Sequence, residues 1–265
     1  MKVLLCPPRH YGLDYEINPW MHLANRPDPA LAAAQWENLR QGLQAAGATL
    51  HLIDPLPGQP DMVFTANGGL CKGNRVLLPN FRFPQRQGER AGFAAWFQAQ
   101  GWQMLELPPA YAFEGEGDAL WAGETLFAGY RFRTDLGAHR RVGELLDCEV
   151  VSLGLQDARF YHLDTCFLPL GQGRALYYPP AFDAYAQQVL QTRFPGLQAI
   201  SEPDALNFCA NGVLLGDRLF TSPASRELAA RLRGWGLELV PLQLSEFHKA
   251  GGGAKCLTLL LDPIP

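Results

Sequence analysis

Polar and apolar residues recur along this chain in a cycle that returns five times. Each cycle opens with a short segment dense in acidic, amide and glycine residues and runs directly into an apolar stretch. The opening segments are Asp61-Met62-Val63-Phe64-Thr65-Ala66-Asn67-Gly68, Phe113-Glu114-Gly115-Glu116-Gly117-Asp118-Ala119-Leu120, His162-Leu163-Asp164-Thr165-Cys166-Phe167, Asn207-Phe208-Cys209-Ala210-Asn211-Gly212-Val213 and Gly251-Gly252-Gly253-Ala254-Lys255-Cys256-Leu257-Thr258. Anchored on Asn67, Asp118, Asp164, Asn211 and Cys256, the intervals are 51, 46, 47 and 45 residues, too even for accident.

The filling of each interval repeats as well. Short β-rich runs and longer helical stretches alternate in the same order each time. The first interval predicts strands at 76–78 and 104–107 around a helix near 88–100. The second predicts strands at 126–128 and 149–153 around a helix near 135–147, and the third 175–178 and 197–200 around 182–193. In the fourth, a strand at 218–221 leads to Ser222-Pro223, read as N-cap and first helical residue, with a helix ending near 234–236 and a strand at 237–240. The fifth unit is divided between the two ends of the chain. Its strands lie at 257–261, 3–5 and 50–53, and its helix opens at Asp28-Pro29 and runs to Gly47. The pattern predicts an α/β fold: a closed five-bladed ring of ββαβ units with helices outside, in one domain over residues 1–265. Closure removes the open sheet edge, and the five polar segments line one central pocket. An ordinary α/β sandwich would explain Asn-Gly and Gly-Asp as turns. It would not explain a histidine, two carboxylates and a cysteine at matching phase.

Composition narrows the function. The chain carries 27 glycines and 21 prolines spread without a linker, 48% hydrophobic residues and a formal charge of −4. Its densest basic stretches, Arg82-Phe83-Pro84-Gln85-Arg86 and Arg131-Phe132-Arg133, are short and mixed with apolar residues, which argues against nucleic acid as a partner. The opening Met1-Lys2-Val3-Leu4-Leu5-Cys6-Pro7-Pro8 is too short in apolar residues for a signal peptide, and no stretch is long enough to cross a membrane. The six cysteines show neither a CxxC pair nor clustering with histidine, which points to a reducing compartment, the cytoplasm, and to no metal site. An oligomer is allowed but not specified.

Three of the segments, Phe113-Glu114-Gly115-Glu116-Gly117-Asp118, His162-Leu163-Asp164 and Gly251-Gly252-Gly253-Ala254-Lys255-Cys256, resemble the signatures of the guanidino-group-modifying superfamily, whose fold is the pentein. The superfamily contains arginine deiminases, amidinotransferases and dimethylarginine dimethylaminohydrolases. The likeness spans essentially the whole chain. Ile17-Asn18-Pro19-Trp20-Met21 and Phe64-Thr65-Ala66-Asn67 further resemble arginine dihydrolases of the cyanobacterial type, which take arginine to ornithine, two ammonia and carbon dioxide. Deiminases and dimethylarginine hydrolases usually carry an aspartate where this chain has Asn67, and the latter usually lack the acid found here as Asp164.

A guanidinium is a poor electrophile, so the site must join a strong nucleophile to enough negative charge to hold a cation. Cys256, behind a glycine run that lets backbone approach a ligand, is the expected nucleophile. His162 is expected to protonate departing ammonia and then activate water, and Glu114 to hold the imidazole or the guanidinium. Asp164 and Asp61 would clamp guanidinium nitrogens with charge-assisted hydrogen bonds, Asp118 would support them or brace its own segment together with Gly117, and Glu116 has no assigned part. Asn67 would donate to the neutral ureido oxygen of citrulline and so retain it for a second attack. Arg133, or failing it Arg86 (equally readable as a solvated surface residue), would meet a substrate carboxylate, and Asn18 its amino group. His248 reads as structural or part of a flap. The resemblance implies a small guanidino substrate and neither metal nor cofactor. A plain deiminase, a dimethylarginine hydrolase, an amidinotransferase and a non-catalytic binding protein of the same fold are the competing readings, separable by products and by arginine-protected thiol labelling.

Overall fold

The computed structural model describes residues 1–262. In chain order it runs β1 (Lys2–Leu5), α1 (Pro29–Ala45), β2 (Thr49–Leu52), β3 (Leu70–Lys72), β4 (Arg75–Leu77), α2 (Pro84–Gln87), α3 (Glu89–Ala99), β5 (Gln103–Leu105), β6 (Ala119–Ala122), β7 (Thr125–Tyr130), α4 (Leu136–Leu146) and β8 (Val150–Gly154). It continues with β9 (Phe167–Pro169), β10 (Arg174–Tyr177), α5 (Ala184–Arg193), β11 (Gly196–Ala199), α6 (Glu202–Leu206), β12 (Val213–Leu215), β13 (Arg218–Thr221), α7 (Arg226–Gly234), β14 (Glu238–Pro241), α8 (Ser245–His248) and β15 (Leu259–Leu260).

Among the described residues the strands form five three-stranded sheets, β15-β1-β2, β3-β4-β5, β6-β7-β8, β9-β10-β11 and β12-β13-β14. All five have one plan. The first strand pairs antiparallel with the second, and the second pairs parallel with the third. A parallel pair needs a crossover, and a helix supplies it each time: α1, α3, α4, α5 and α7. The sheet shared by the two ends is present, with Val3 opposite Leu260 and Leu4 opposite Leu259.

Each polar segment leads into the first strand of its sheet, and neighbouring segments hydrogen-bond in a closed cycle. Asn67 Nδ2 donates to the Glu114 carbonyl (3.0 Å), Leu163 N to Asp118 Oδ1 (3.1 Å) and Asn211 Nδ2 to the Asp164 carbonyl (2.9 Å). Cys256 N donates to Asn211 Oδ1 (3.1 Å), and Ala66 N donates to the Cys256 carbonyl (3.1 Å), returning to the start. Helices seal the sheets with apolar faces. Trp36, Leu39 and Leu43 of α1 cover Val3 and Leu5, while Phe93 and Phe97 of α3 cover Leu4 and Val76. Each such buried side chain contributes roughly 1.5–3 kcal/mol.

Most helix starts match the sequence. Asp28 caps α1 through Leu31 N (2.9 Å) with Pro29 in the first turn, and Asp183 caps α5 through Ala186 N (2.9 Å). The start of the last long helix is corrected. Ser222-Pro223 does not open it; Ser225 does, accepting from Leu228 N at 3.2 Å. The Ser222 hydroxyl is instead beside His248 Nε2 (3.2 Å), and Asp204 holds both the N–H and the hydroxyl of Ser225 (2.7 and 2.8 Å). No helix among the described residues is long and apolar enough to cross a membrane.

Candidate active site

The cycle of polar segments brings the predicted chemistry together. Glu114 follows Phe113, which bridges to Asn80, and precedes Gly115, whose φ is +59°. A Cβ on Gly115 would lie 2.6 Å from the Gly69 carbonyl and 2.7 Å from that of Ala66, so only glycine lets the segment turn so close to its neighbour. The turn aims Glu114 inward. Its Oε2 accepts from His162 Nε2 (2.8 Å) and Arg133 Nη1 (3.0 Å), and its Oε1 from Arg82 N (3.2 Å). Glu114 therefore holds the imidazole. Burial pushes its carboxyl up, but the Arg133 guanidinium and the His162 bond outweigh that and keep it well below the usual carboxylate range. Burial lowers His162 to about 4 despite the attraction of Glu114, so the ring is neutral near pH 7. With Nε2–H on Glu114, Nδ1 keeps its lone pair. Gly117 sits beside that edge, where a Cβ would meet His162 Nδ1 at 3.2 Å and Asn67 Nδ2 at 2.2 Å.

Asp164 lies two residues beyond His162, with Cα atoms no more than ~7 Å apart. Its Oδ2 accepts from Cys256 Sγ at 3.2 Å. Burial raises Asp164 to about 7 against the pull of Lys255. Burial and then the Asp164 charge hold the Cys256 thiol well above its ordinary range, so Cys256 rests as a thiol. Asp61 accepts from Tyr15 (3.0 Å) and stands 3.9 Å from Arg86 Nε; burial raises it, opposed chiefly by Arg86. Among the described residues, Asp61 Oδ1, Asp118 Oδ2 and Asp164 Oδ1 are buried and accept no hydrogen bond. A buried carboxyl oxygen without a partner is costly in the interior, so these oxygens, that of Asp164 beside the thiol, mark a place for a ligand rich in N–H donors.

The remaining predicted residues are placed as follows. Asn67 donates to the Glu114 carbonyl and accepts from Arg86 Nη1 (2.9 Å). Arg86 is not a solvated residue. It is buried and paired at Nε and Nη2 with Glu89 (2.7 and 2.8 Å), and it also donates to the Asp61 carbonyl (3.2 Å). Arg133 is buried between the rings of Phe83 and Tyr161 (4.7 and 4.6 Å) and donates to Ile17 O (2.9 Å), which leaves several N–H groups uncommitted. Asp118 braces the third segment through Leu163 N. Asn18 is engaged away from the acids, donating to Ala250 O (3.0 Å) and accepting from Trp20 N (2.9 Å). His248 stacks on Phe208 at 4.8 Å.

Sequence reasoning assigned no chemistry to Asn211, Tyr161 or the ion pair of Lys255 with Glu116 (2.8 Å), whose partners are 139 residues apart. Only the phase of Asn211 in the repeat marked it. Relative exposures of 0% for Glu114, 1% for Asp61 and Asp164, 2% for His162 and 4% for Cys256 show that the site is covered almost completely. Part of that cover is the stretch holding Tyr15, Ile17, Asn18 and Trp20, which is tied to Asp61, Arg133, Ala250 and Arg159.

Comparison with known proteins bears on the family and the fold. The family of eukaryotic N,N-dimethylarginine dimethylhydrolases matches residues 20–261. The bifunctional arginine dihydrolase/ornithine cyclodeaminase ArgZ of Synechocystis is 47% identical over 100% of this chain, which spans 38% of that relative's length. The N(G),N(G)-dimethylarginine dimethylaminohydrolase of Mycobacterium tuberculosis is 41% identical over 99% of this chain and 86% of its own. The crystal structure of the N-terminal domain of ArgZ in a Cys-to-Ser form bound to substrate, described as an arginine dihydrolase from the ornithine–ammonia cycle in cyanobacteria, superposes with a TM-score of 0.96 at 46% identity, covering 98% of each chain. By the family match over residues 20–261 and its likeness to these relatives in sequence and fold, this chain belongs to the N,N-dimethylarginine dimethylhydrolase family of guanidino-group-modifying enzymes.

Proposed function

We propose that this protein hydrolyses the guanidino group of arginine to ornithine, ammonia and carbon dioxide, with Cys256 as nucleophile. The observation that carries the reading is the thiol of Cys256 set against Asp164, whose other carboxyl oxygen has no partner, with a second unpartnered oxygen on Asp61 next to Arg86. A guanidinium satisfies both oxygens with charge-assisted hydrogen bonds. Its positive charge also favours the thiolate that burial opposes, so nucleophile and substrate are activated together. As the thiolate forms, its proton passes to the bare Nδ1 of His162, held by Glu114; the thiolate attacks the guanidino carbon, and the imidazolium returns that proton to the departing nitrogen as the C–N bond breaks, releasing ammonia. Water activated by the same imidazole then cleaves the S–C bond, giving citrulline and the free thiol. A second attack on the ureido carbon releases the second ammonia, and hydrolysis yields carbon dioxide and ornithine. Asp118 braces the acids, Asn67 retains citrulline, and Arg133, with more uncommitted N–H groups than Arg86, meets the substrate carboxylate. In this reading Asn18 turns toward the amino group when the cover closes on substrate.

The five sheets act as a five-bladed propeller with pseudo-five-fold symmetry, residues 1–265 as one catalytic domain, working in the cytoplasm and free to assemble as an oligomer. The likeness to a dimethylarginine dimethylaminohydrolase supports a second reading, in which the reaction ends at citrulline. Incubation with arginine, citrulline and dimethylarginine, with products identified by mass, separates the two. Ornithine from both arginine and citrulline supports the dihydrolase. Citrulline as the end product, or dimethylamine from the methylated substrate, supports the second reading. Absence of all three rejects hydrolysis of these substrates.

A further inference from the structure

Cys256 Sγ has two polar side-chain neighbours of opposite character, and the backbone N–H of Gly253 also favours its anion. The thiol donates to Asp164 Oδ2 at 3.2 Å, and Asn211 Nδ2 donates to Sγ at 3.1 Å. The first contact suits the neutral thiol, and a nearby carboxylate opposes its ionisation. The second strengthens when the sulfur becomes an anion.

Every other polar position of the Asn211 side chain is occupied. Its second Nδ2 proton goes to the Asp164 carbonyl (2.9 Å), and Oδ1 accepts from Gly253 N (3.0 Å) and Cys256 N (3.1 Å). Two backbone N–H groups facing one end of the amide identify that end as oxygen, so the sulfur faces the NH2 end. An Asn-Gly pair is ordinarily a turn with its amide in water. Here Asn211 is fully buried and makes no such contact.

We infer that Asn211 is a further catalytic residue of this site: its amide N–H stabilises the Cys256 thiolate as it forms, and its oxygen holds the Gly253–Cys256 backbone so that the sulfur stays in place. The inference rests on the proposed role of Cys256. The other charged or titratable groups near the sulfur are accounted for. Asp164 disfavours the anion, Tyr161 donates to Gly251 O (3.0 Å), Lys255 is paired with Glu116, and His162 is bound to Glu114. Asn211 is the neutral side-chain donor directed at Sγ.

The test is the pH dependence of iodoacetamide labelling of the full chain, read at the Cys256 peptide by mass, for the unaltered protein, Asn211→Asp and Asn211→Ala. Asn211→Asp keeps the oxygen that accepts from Gly253 and Cys256 but places a carboxylate oxygen against the sulfur. Its labelling midpoint rises by about one pH unit or more, and kcat on arginine falls by about tenfold or more while KM stays within about threefold. Asn211→Ala moves the midpoint in the same direction, and decides the matter if the aspartate variant does not fold. A folded variant with an unmoved midpoint overturns the inference, even if kcat falls, because that pattern belongs to a purely structural residue. If the unaltered protein labels normally but does not consume arginine, the proposed function fails, while the midpoint comparison still decides the role of Asn211.

Discussion

At position 67 a neutral amide sits where charge would change the outcome. Its Nδ2 donates to the Glu114 carbonyl and its Oδ1 accepts from Arg86, so the side chain is oriented and one N–H remains free. Aspartate would keep the bond to Arg86 but turn an oxygen toward a carbonyl and add negative charge beside Asp61 and Glu114. A guanidinium tolerates that, whereas a ureido group, whose carbonyl needs donors, does not. Asn67→Asp is expected to raise the ratio of citrulline to ornithine by about tenfold or more, the equivalent of one hydrogen bond of about 1.4 kcal/mol. Quantifying both products after arginine turnover checks it, and an unchanged ratio removes Asn67 from the second step. The candidates Cys256, His162 and Glu114 stood out in the sequence because each residue type is unusual at its phase of the repeat. Asn211 did not, because an asparagine before glycine is what a turn also uses. Arg86 was ambiguous for a similar reason, since an arginine three residues before a glutamate looks the same on a solvated helix as in the buried pair it makes with Glu89.

Caps and polar turns, more than helix lengths, carry the function at the level of elements. The predicted helices matched the observed ones to within a few residues because apolar spacing and proline or aspartate starts are local signals. The error at Ser222-Pro223 arose because two serines compete for the cap of α7, and the choice is made by Asp204, more than twenty positions before Ser225. The segment ahead of β6 is more constrained than any helix. Gly115→Ala would combine a left-handed backbone with Cβ contacts of 2.6 and 2.7 Å to two carbonyl oxygens, and is expected to cost about 3 kcal/mol or more of unfolding free energy while displacing Glu114. Urea unfolding checks it, and a loss below about 1 kcal/mol would mean that the segment yields easily. On α4, His139 links the helix to its sheet through Ser152 Oγ (2.7 Å) and Gly129 O (3.2 Å), and burial lowers it to about 4. A histidine depressed in the folded state leaves the unfolded chain binding more protons between its ordinary 6.5 and about 4, so its contribution to stability is lost as pH falls through that window. Asp164 and Glu89, both raised to about 7, have the opposite slope, so the comparison must be made between variants. His139→Gln is expected to remove up to about 1.4 kcal/mol per pH unit from the pH dependence between 4 and 6.5. Identical slopes for the two proteins would show that His139 is not held neutral.

At the scale of the whole molecule, the candidate site residues come from different sheets and meet because the polar segments hydrogen-bond to one another: Asp61 and Asn67 ahead of β3, Glu114 ahead of β6, His162 and Asp164 ahead of β9, Asn211 ahead of β12 and Cys256 ahead of β15. Spacing made that convergence legible, but the ion pairs across the ring stayed hidden because nothing in a linear pattern says which acid meets which base, as with Glu116 and Lys255. A ligand bound among these segments must therefore stabilise all five sheets as one unit, since each supplies a contact that disappears if any sheet detaches. With Cys256→Ser preventing turnover, arginine at about one hundred times its Kd is expected to add about 2.7 kcal/mol to the unfolding free energy. For a chain of this size that corresponds to a rise in Tm of roughly 5–10 °C. Calorimetry should show one transition moving as a whole. A transition that ignores arginine contradicts the binding site, and one that splits, with only part of the heat moving, contradicts the coupling of the five sheets through it.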